Sequence, residues 1–428
     1  MNVSNAQSEP YERNDQQYGE GNNEAGLQGT QPFGSGPLTD AGERRAIFNV
    51  LDSYRRRQNF YALPQAHQVL LNDPAISFLD NLSTIDDAID ENADLADAIL
   101  ELALETFDLS HQPERGSVLD WHDAARSLDL NKAHSTIKQF WRDWSKEGFE
   151  AEVKPMLNLI LGDLASNLAS AAGQTRVLLP GAGLGRLLFE LSLAGYLVEG
   201  NEISYHQLLA SNFILNTVQR ANQYKLYPFV GSFNNHLSRH NQLQMVTIPD
   251  VHPGAAVEER MRLQRPVGEM NMSAGDFITS YSSSDHAGSF DAVVTVYFID
   301  TSPNVIRYIE TVGHCLKEGG IWINIGPLLW HFEDRMVEQH DHEHEQDRDH
   351  DVDAKEEPKG QTGIAEPGSF ELTDEEVLVL AQRMGFELIS HENLPPSVGG
   401  YIQDPTSMLQ NRYQCSHWVL RKKSVPQE

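Results

Sequence analysis

The chain has little cysteine: Cys315 and Cys415 are the two in 428 residues, too few for a disulfide framework or a structural zinc site. It has no apolar run of membrane-spanning length, no signal-peptide pattern and no lipidation signature, so a reducing cytoplasmic or nuclear setting away from the membrane is expected. Basic residues are scarce as well. The 32 Lys and Arg stand against 62 Asp and Glu, for a formal charge of −30. A general nucleic-acid binder neutralises phosphates with clustered cations, and this composition argues against that class. What is present is 40% hydrophobic residues, adequate for a sizeable core in a chain long enough for two domains.

Residues 1–38 are rich in Asn, Gln, Gly, Ser and Glu. They cannot bury enough surface to offset their ordering entropy and are predicted to be a disordered tail. A helical region is predicted over 39–150. Ile47, Val50, Leu51 and Tyr54 share one helical face, and further helices are expected at Pro64–Leu71, Ala88–Leu104 and Ala124–Ser145. Within the last of these, Gln139 and Arg142 stand three apart on one face, beside Phe140, Trp141 and Trp144. Two readings stay open here. The aromatics pack on the main domain while Arg142 makes a surface ion pair, or Arg142 and Gln139 lie over a cofactor, with Arg142 gripping its carboxylate in bidentate fashion.

The stretch Arg176 to Glu190 organises the rest. Val177–Leu179 reads as a buried parallel strand, Gly181, Gly183 and Gly185 as a turn without side chains, and Leu184–Leu193 as the start of a helix. Glycine accepts positive φ and lets a ligand approach the backbone. The spacing G-x-G-x-G departs from the G-x-G-x-x-G of dinucleotide folds, which disfavours a dehydrogenase, and no Lys-Ser/Thr pair follows as a phosphate loop requires. A second strand, Tyr196–Gly200, leads to Asn201-Glu202, and a carboxylate at that tip can accept both ribose hydroxyls of an adenosine. Together they read as an adenosine cofactor site leaning to S-adenosylmethionine.

Further on, Ala221 to Met270 is expected to be an insertion of loops and short elements. Asp276 and Phe277 stand where a third strand should end, so that Asp276 either accepts from an adenine amino group, with the next backbone N–H serving a ring nitrogen, or caps a short helix. A fourth strand over Phe290–Ile299 delivers Asp300 to the carboxyl edge of the sheet, where open parallel sheets bind ligands; the competing role is a turn or cap before Pro303. After a helix over Val305–Leu316 that closes at Lys317–Gly320, a fifth strand from Ile321 to Pro327 is expected to continue through Leu328–Glu333, carrying His331. Residues 336–368 form an acidic, His-rich stretch. His340, His342, His344 and His350 have no apolar anchor to fix a coordination geometry, so a disordered insertion and no metal site are expected. Thr373 and Glu376 predict a capping box on a helix ended by Gly385, followed by strands at Phe386–Asn393 and Tyr413–Arg421, with Tyr401 between them. The expected fold class is α/β: a Rossmann-like seven-stranded class I methyltransferase sheet with an N-terminal helical region, its core divided into 151–335 and 369–428.

The blocks Gln139-Phe-Trp-Arg-Asp-Trp-Ser, Leu179-Pro-Gly-Ala-Gly-Leu-Gly-Arg, Gly200-Asn-Glu-Ile-Ser, Ser211-Asn-Phe-Ile-Leu-Asn, Gly275-Asp-Phe, Tyr297-Phe-Ile-Asp-Thr and Gly319-Gly-Ile-Trp-Ile-Asn-Ile-Gly-Pro-Leu-Leu-Trp-His-Phe-Glu resemble the carnosine N-methyltransferase family, in the family's order over residues 40–422. The resemblance implies methyl transfer from S-adenosylmethionine to an imidazole nitrogen of carnosine, giving anserine. It implies that Gln139, Arg142, Gly181, Gly183, Glu202, Asp276 and Phe277 hold the cofactor, and that Asp300, His331, Tyr401 and Tyr413 line the substrate site. Asp300, His331 and Tyr413 are the implied catalytic residues. The chain departs from the family's run of tyrosines at Asn411-Arg412-Tyr413, and its His-rich insertion replaces a short connection. Related His-containing peptides, a protein histidine as acceptor, and a cofactor-binding module without turnover remain open. The partner implied is a small imidazole dipeptide, and a homodimer is left open.

Overall fold

The computed structural model describes residues 50–121, 124–125, 127–169, 172–333 and 368–424. The predicted tail, the start of the first predicted helix and the four histidines of the acidic insertion lie outside the described residues.

The chain begins with helices α1 (Val50–Tyr61), α2 (Gln65–Leu71), α3 (Phe78–Thr106) and α4 (Ser127–Trp144). Helix α3 starts ten residues earlier than its apolar pattern suggested, and it buries Leu82, Ile85, Ala88, Ile89, Asn92 and Leu95 along one face. Beyond a π-helical turn over Phe149–Val153 comes α5 (Lys154–Asn167). Alternating units follow: β1 (Arg176–Pro180), α6 (Arg186–Leu193), β2 (Leu197–Glu202) and α7 (Tyr205–Asn212). The expected insertion contains a small antiparallel pair, β3 (Tyr224–Leu226) and β4 (Val246–Ile248), and helix α8 (Pro253–Arg262). The sheet resumes with β5 (Met270–Ala274), α9 (Phe277–Tyr281), β6 (Phe290–Val296), α10 (Val305–Cys315) and β7 (Leu316–Gly326). It closes with α11 (Asp374–Arg383), β8 (Phe386–Asn393) and β9 (Ser416–Lys422).

The seven strands lie in the order β5-β2-β1-β6-β7-β9-β8. The first five are parallel and β9 runs antiparallel to both β7 and β8, the seven-stranded sheet the sequence led us to expect. Period-two alternation decides which face each apolar residue covers. Val177, Leu179, Ala292, Val294, Ile321 and Ile323 join the cluster on one face, with Ile160 and Leu164 of α5. Leu178, Val293, Trp322 and Trp418 join the other, with Ile309 and Val312 of α10. A third cluster joins α3 and α4 to β3, β4 and Phe213, so the N-terminal helices and the insertion share one core. No helix among the described residues is long and apolar enough to cross a membrane.

Two expectations about β7 are corrected. The strand begins at Leu316, because a register shift pairs Phe290 with Leu316 and then Ala292 with Ile321, which absorbs the expected glycine turn as a bulge. It also ends at Gly326: Pro327 has no N–H to continue the ladder, so Leu328–Glu333 leaves the sheet and His331 sits in a turn.

Candidate active site

The parallel strands set the site because their carboxyl ends share one edge of the sheet. Strand β1 ends in the glycine turn, β2 in Glu202, β5 is followed by Asp276, β6 by Asp300 and β7 by His331. The turn lies where the order reverses, with β2 and β5 to one side of β1 and β6 to the other.

Gly181, Gly183 and Gly185 have φ of +69°, +56° and +77°, which L side chains adopt at a cost. A Cβ on Gly181 would come within 2.6 Å of the Phe298 ring, whereas on Gly183 the nearest atom would be an Asp143 carboxylate oxygen at 4.0 Å. The backbone at Gly183 is therefore open to a ligand. Behind it, the Gly183 N–H donates to Glu202 Oε2 at 3.0 Å, and Ile203 and Ser204 N–H groups donate to Oε1 at 2.9 and 2.8 Å. These bonds fix an almost fully buried carboxylate at the tip of β2, whose oxygens keep lone pairs able to accept from vicinal hydroxyls. Asp276 caps α9, with Oδ1 accepting from the Thr279 N–H at 2.9 Å. The capping role weighed for it is thus present. The Phe277 ring is buried against Phe298 and Tyr308, which leaves its backbone as the part able to meet a ligand.

Helix α4 covers this edge. Phe140, Trp141 and Trp144 are buried in the core shared with the insertion and α6. Trp144 Nε1 donates to the Leu184 carbonyl at 3.0 Å, tying the helix to the turn. From the other side, Arg186 Nη1 donates to the Asp143 carbonyl at 2.9 Å while its guanidinium pairs with Asp250 at 2.6 Å and Glu190 at 2.8 Å. The surface ion pair considered for Arg142 is not what forms. Its guanidinium is largely buried, 3.3 Å from Asp143 Oδ1 and 4.9 Å from the Tyr401 ring centre. Burial opposes its charge, but Asp143, Tyr401 and Glu152 outweigh it and raise the pKa. Gln139 Nε2 donates to the Tyr401 hydroxyl at 3.3 Å. One fixed cation and one amide thus sit on α4, the helix that Trp144 ties to the glycine turn, a donor set suited to a carboxylate. The chemistry of Glu202, Asp276, Gln139 and Arg142, with open backbone at Gly183, fits an adenosine-bearing amino acid.

Asp300 sits in a short 3-10 turn after β6 and is 3% exposed. It is not the cap of α10; Asn304 is, accepting from the Ile306 N–H at 3.1 Å. Asp300 Oδ2 accepts from the Leu329 N–H at 2.8 Å, and its carbonyl accepts from the His331 N–H at 3.1 Å. Burial pushes its pKa up to about 6, against the two backbone N–H groups, of Leu329 and of Asp300 itself, that hold it down. Its charge in turn adds to burial in raising the pKa of Tyr413 and Cys415, so Tyr413 and Asp300 are neighbours. Tyr401 and Tyr413 reach the site on the segment before β9, held by the Tyr413 N–H donating to the Gly399 carbonyl at 2.9 Å.

Sequence reasoning missed Tyr297 as a site residue. Its ring centre lies 5.3 Å from that of Tyr401 and 6.2 Å from that of Tyr413, and its φ is +51°, a strained value for a tyrosine, of the kind found at functional sites. The predicted fourth strand ran through it to Ile299, whereas β6 ends at Val296, so the sequence carried no signal for it. Glu152 was missed too, because its partners lie far along the chain, and so was Asp143, whose second cation, Arg186, is 43 residues on.

A family model described as Carnosine N-methyltransferase matches residues 120–424. A carnosine N-methyltransferase of Schizosaccharomyces pombe is 34% identical over 372 residues, covering 86% of this chain and 90% of that protein. The Mus musculus protein of the same name is 32% identical over 374 residues, covering 86% and 80%. Among solved structures, a putative sarcosine dimethylglycine methyltransferase from Galdieria sulphuraria is 11% identical with a TM-score of 0.37, covering 68% of this chain and 98% of that one.

Proposed function

The chain belongs to the carnosine N-methyltransferase family, and from that premise we propose that it methylates an imidazole nitrogen of carnosine with S-adenosylmethionine, giving anserine and S-adenosylhomocysteine. The observation that carries this reading is the buried Asp300 carboxylate, at the same carboxyl edge of the sheet as the glycine turn that ends β1. When bound, S-adenosylmethionine supplies an electrophilic sulfonium methyl.

Gln139 and Arg142 would hold the donor's carboxylate, Gly183 leaves its backbone-facing side room while Gly181 admits the Phe298 ring next to it, Glu202 would accept from its ribose, and Asp276 with the Phe277 N–H would receive its adenine. The acceptor imidazole attacks through its unprotonated nitrogen. Asp300 accepts a hydrogen bond from the N–H of the other ring nitrogen, stabilises the positive charge that develops there and takes the proton. His331 and Tyr413 orient the ring and the peptide, and Tyr401 closes the space over Arg142. Holding the nitrogen in line with the methyl is the larger part of the work. The buried free thiols of Cys315 and Cys415 suit a reducing cytoplasmic or nuclear compartment.

The test is transfer of labelled methyl to carnosine, with the product's methylated nitrogen identified by NMR. Stoichiometric anserine supports the reading. Label that passes only to a macromolecule, or cofactor binding with no transfer, overturns it in favour of a protein histidine or a binding module.

A further inference from the structure

The mechanism leaves unused a buried carboxylate beside the site. Glu152 is 3% exposed and lies in the π-helical turn Phe149–Val153 between α4 and α5, an element rare in helices and concentrated at functional sites. Its two oxygens accept from two successive backbone N–H groups 250 residues away. Oε2 accepts from Ile402 at 2.7 Å and Oε1 from Gln403 at 2.8 Å. Gly400 lies flat against the same carboxylate: a Cβ there would come within 2.8 Å of Oε1. Ile402 has φ of +53°. For a β-branched residue that conformation is strained and persists only where the surroundings impose it.

The segment so held carries Tyr401, whose hydroxyl accepts from Gln139 and whose ring lies beside the Arg142 guanidinium. The Gly400 carbonyl accepts from the Tyr297 hydroxyl at 3.2 Å, which itself accepts from Cys415 Sγ at 3.4 Å. One carboxylate thus fixes the segment in addition to the Tyr297 contact, in a backbone shape that Ile402 adopts only under constraint. A neutral side chain at position 152 would leave both N–H groups without a charged acceptor, and charge-assisted bonds are the stronger kind.

We propose that Glu152 is a positioning residue for methyl transfer, acting through Tyr401: its carboxylate pins Ile402 and Gln403 so that the tyrosine closes over the Gln139–Arg142 pair. This rests on the proposed reaction and adds a residue to it. Glu152 touches neither reactant; its role is the placement of a side chain that does.

The test is a double-mutant cycle with Glu152→Gln and Tyr401→Phe, read as kcat/KM for carnosine. It is paired with hydrogen exchange of the 398–413 segment in each variant with and without S-adenosylhomocysteine. Glu152→Gln should lower kcat/KM about tenfold or more, the double variant should lose no more than the worse single variant, and the Ile402 and Gln403 amides should exchange faster in Glu152→Gln while the core strands do not. Multiplicative losses, or unchanged turnover in Glu152→Gln, overturn the proposal. If the wild-type protein does not methylate carnosine, the exchange arm decides it alone: Ile402 and Gln403 amides no faster in Glu152→Gln overturn it. Global loss of protection in Glu152→Gln would mean a structural role and overturns it as well.

Discussion

Replacing Asp300 by Asn should stabilise the protein and disable it, and the two effects should separate with pH. The Asp300 carboxyl is pushed from 3.8 up to about 6 by burial, roughly two units, or about 3 kcal/mol against ionisation in the folded state. The unfolded chain ionises this group near 4, so folding bears no cost below that pH, a growing cost between about 4 and 6, and the full cost above 6. Asn keeps the shape and can still accept from the Leu329 N–H without carrying charge. Urea denaturation of the unliganded protein should therefore show Asp300→Asn more stable than wild type at pH 8, by up to about 3 kcal/mol, with the difference gone at pH 4.

Activity should move the other way. Without the carboxylate, turnover at pH 8 should fall about 10²–10³-fold, the usual loss for removing a proton acceptor or a preorganised electrostatic partner. Two groups must be unprotonated in the wild-type reaction, Asp300 and the acceptor imidazole, whose ordinary pKa is about 6.5. The logarithm of kcat/KM against pH should then approach a slope of two below about pH 6 in wild type, and a slope of one in Asp300→Asn. A variant that keeps the slope of two, or that turns over within a few-fold of wild type at pH 8, would refute the assignment of Asp300.

Removing the Glu202 carboxylate as Glu202→Ala should weaken S-adenosylhomocysteine binding by about 1.5–3 kcal/mol, the range for hydrogen bonds to a charged group, measured by titration calorimetry; unchanged affinity would remove Glu202 from the cofactor site. Arg186→Met leaves Asp250 and Glu190 without their buried cation and should cost about 3–5 kcal/mol of stability, read from chemical denaturation, with α4 loosened from the turn. His417, buried between Asp163 at 2.8 Å and Glu392 at 3.0 Å, has a raised pKa because the two carboxylates outweigh the opposing effect of burial. Its contribution is fully present below the unfolded histidine's pKa and is lost as pH rises through the folded one. The stability gap between wild type and His417→Gln should accordingly narrow as pH is raised from about 6 to 9, and a gap that widens would count against the ion pairs.

Much of the architecture was legible because strand burial and helix capping are written locally. The runs at Val177–Leu179 and Ala292–Val294 are apolar on consecutive residues, as strands covered on both faces must be, and Thr373 with Glu376 forms the capping box its spacing announces. The edge residues Glu202, Asp276 and Asp300 were legible for the same reason, since each follows a recognisable strand. What failed was local in a different way. The end of β7 is decided by one missing N–H at Pro327, and its beginning by a bulge that only the partner strand reveals. Tyr297, Glu152 and Asp143 were illegible because their meaning lies in contacts with Tyr401, Ile402 and Arg186 across long stretches of chain.

The most direct measurement is kcat/KM for methyl transfer from labelled S-adenosylmethionine to carnosine, run beside histidine, homocarnosine and Gly-His, with Asp300→Asn as control. The account predicts carnosine as the best of the four, with turnover lost in the variant. Equal or better transfer to free histidine, or no transfer to any dipeptide by a protein that binds S-adenosylhomocysteine, would contradict it.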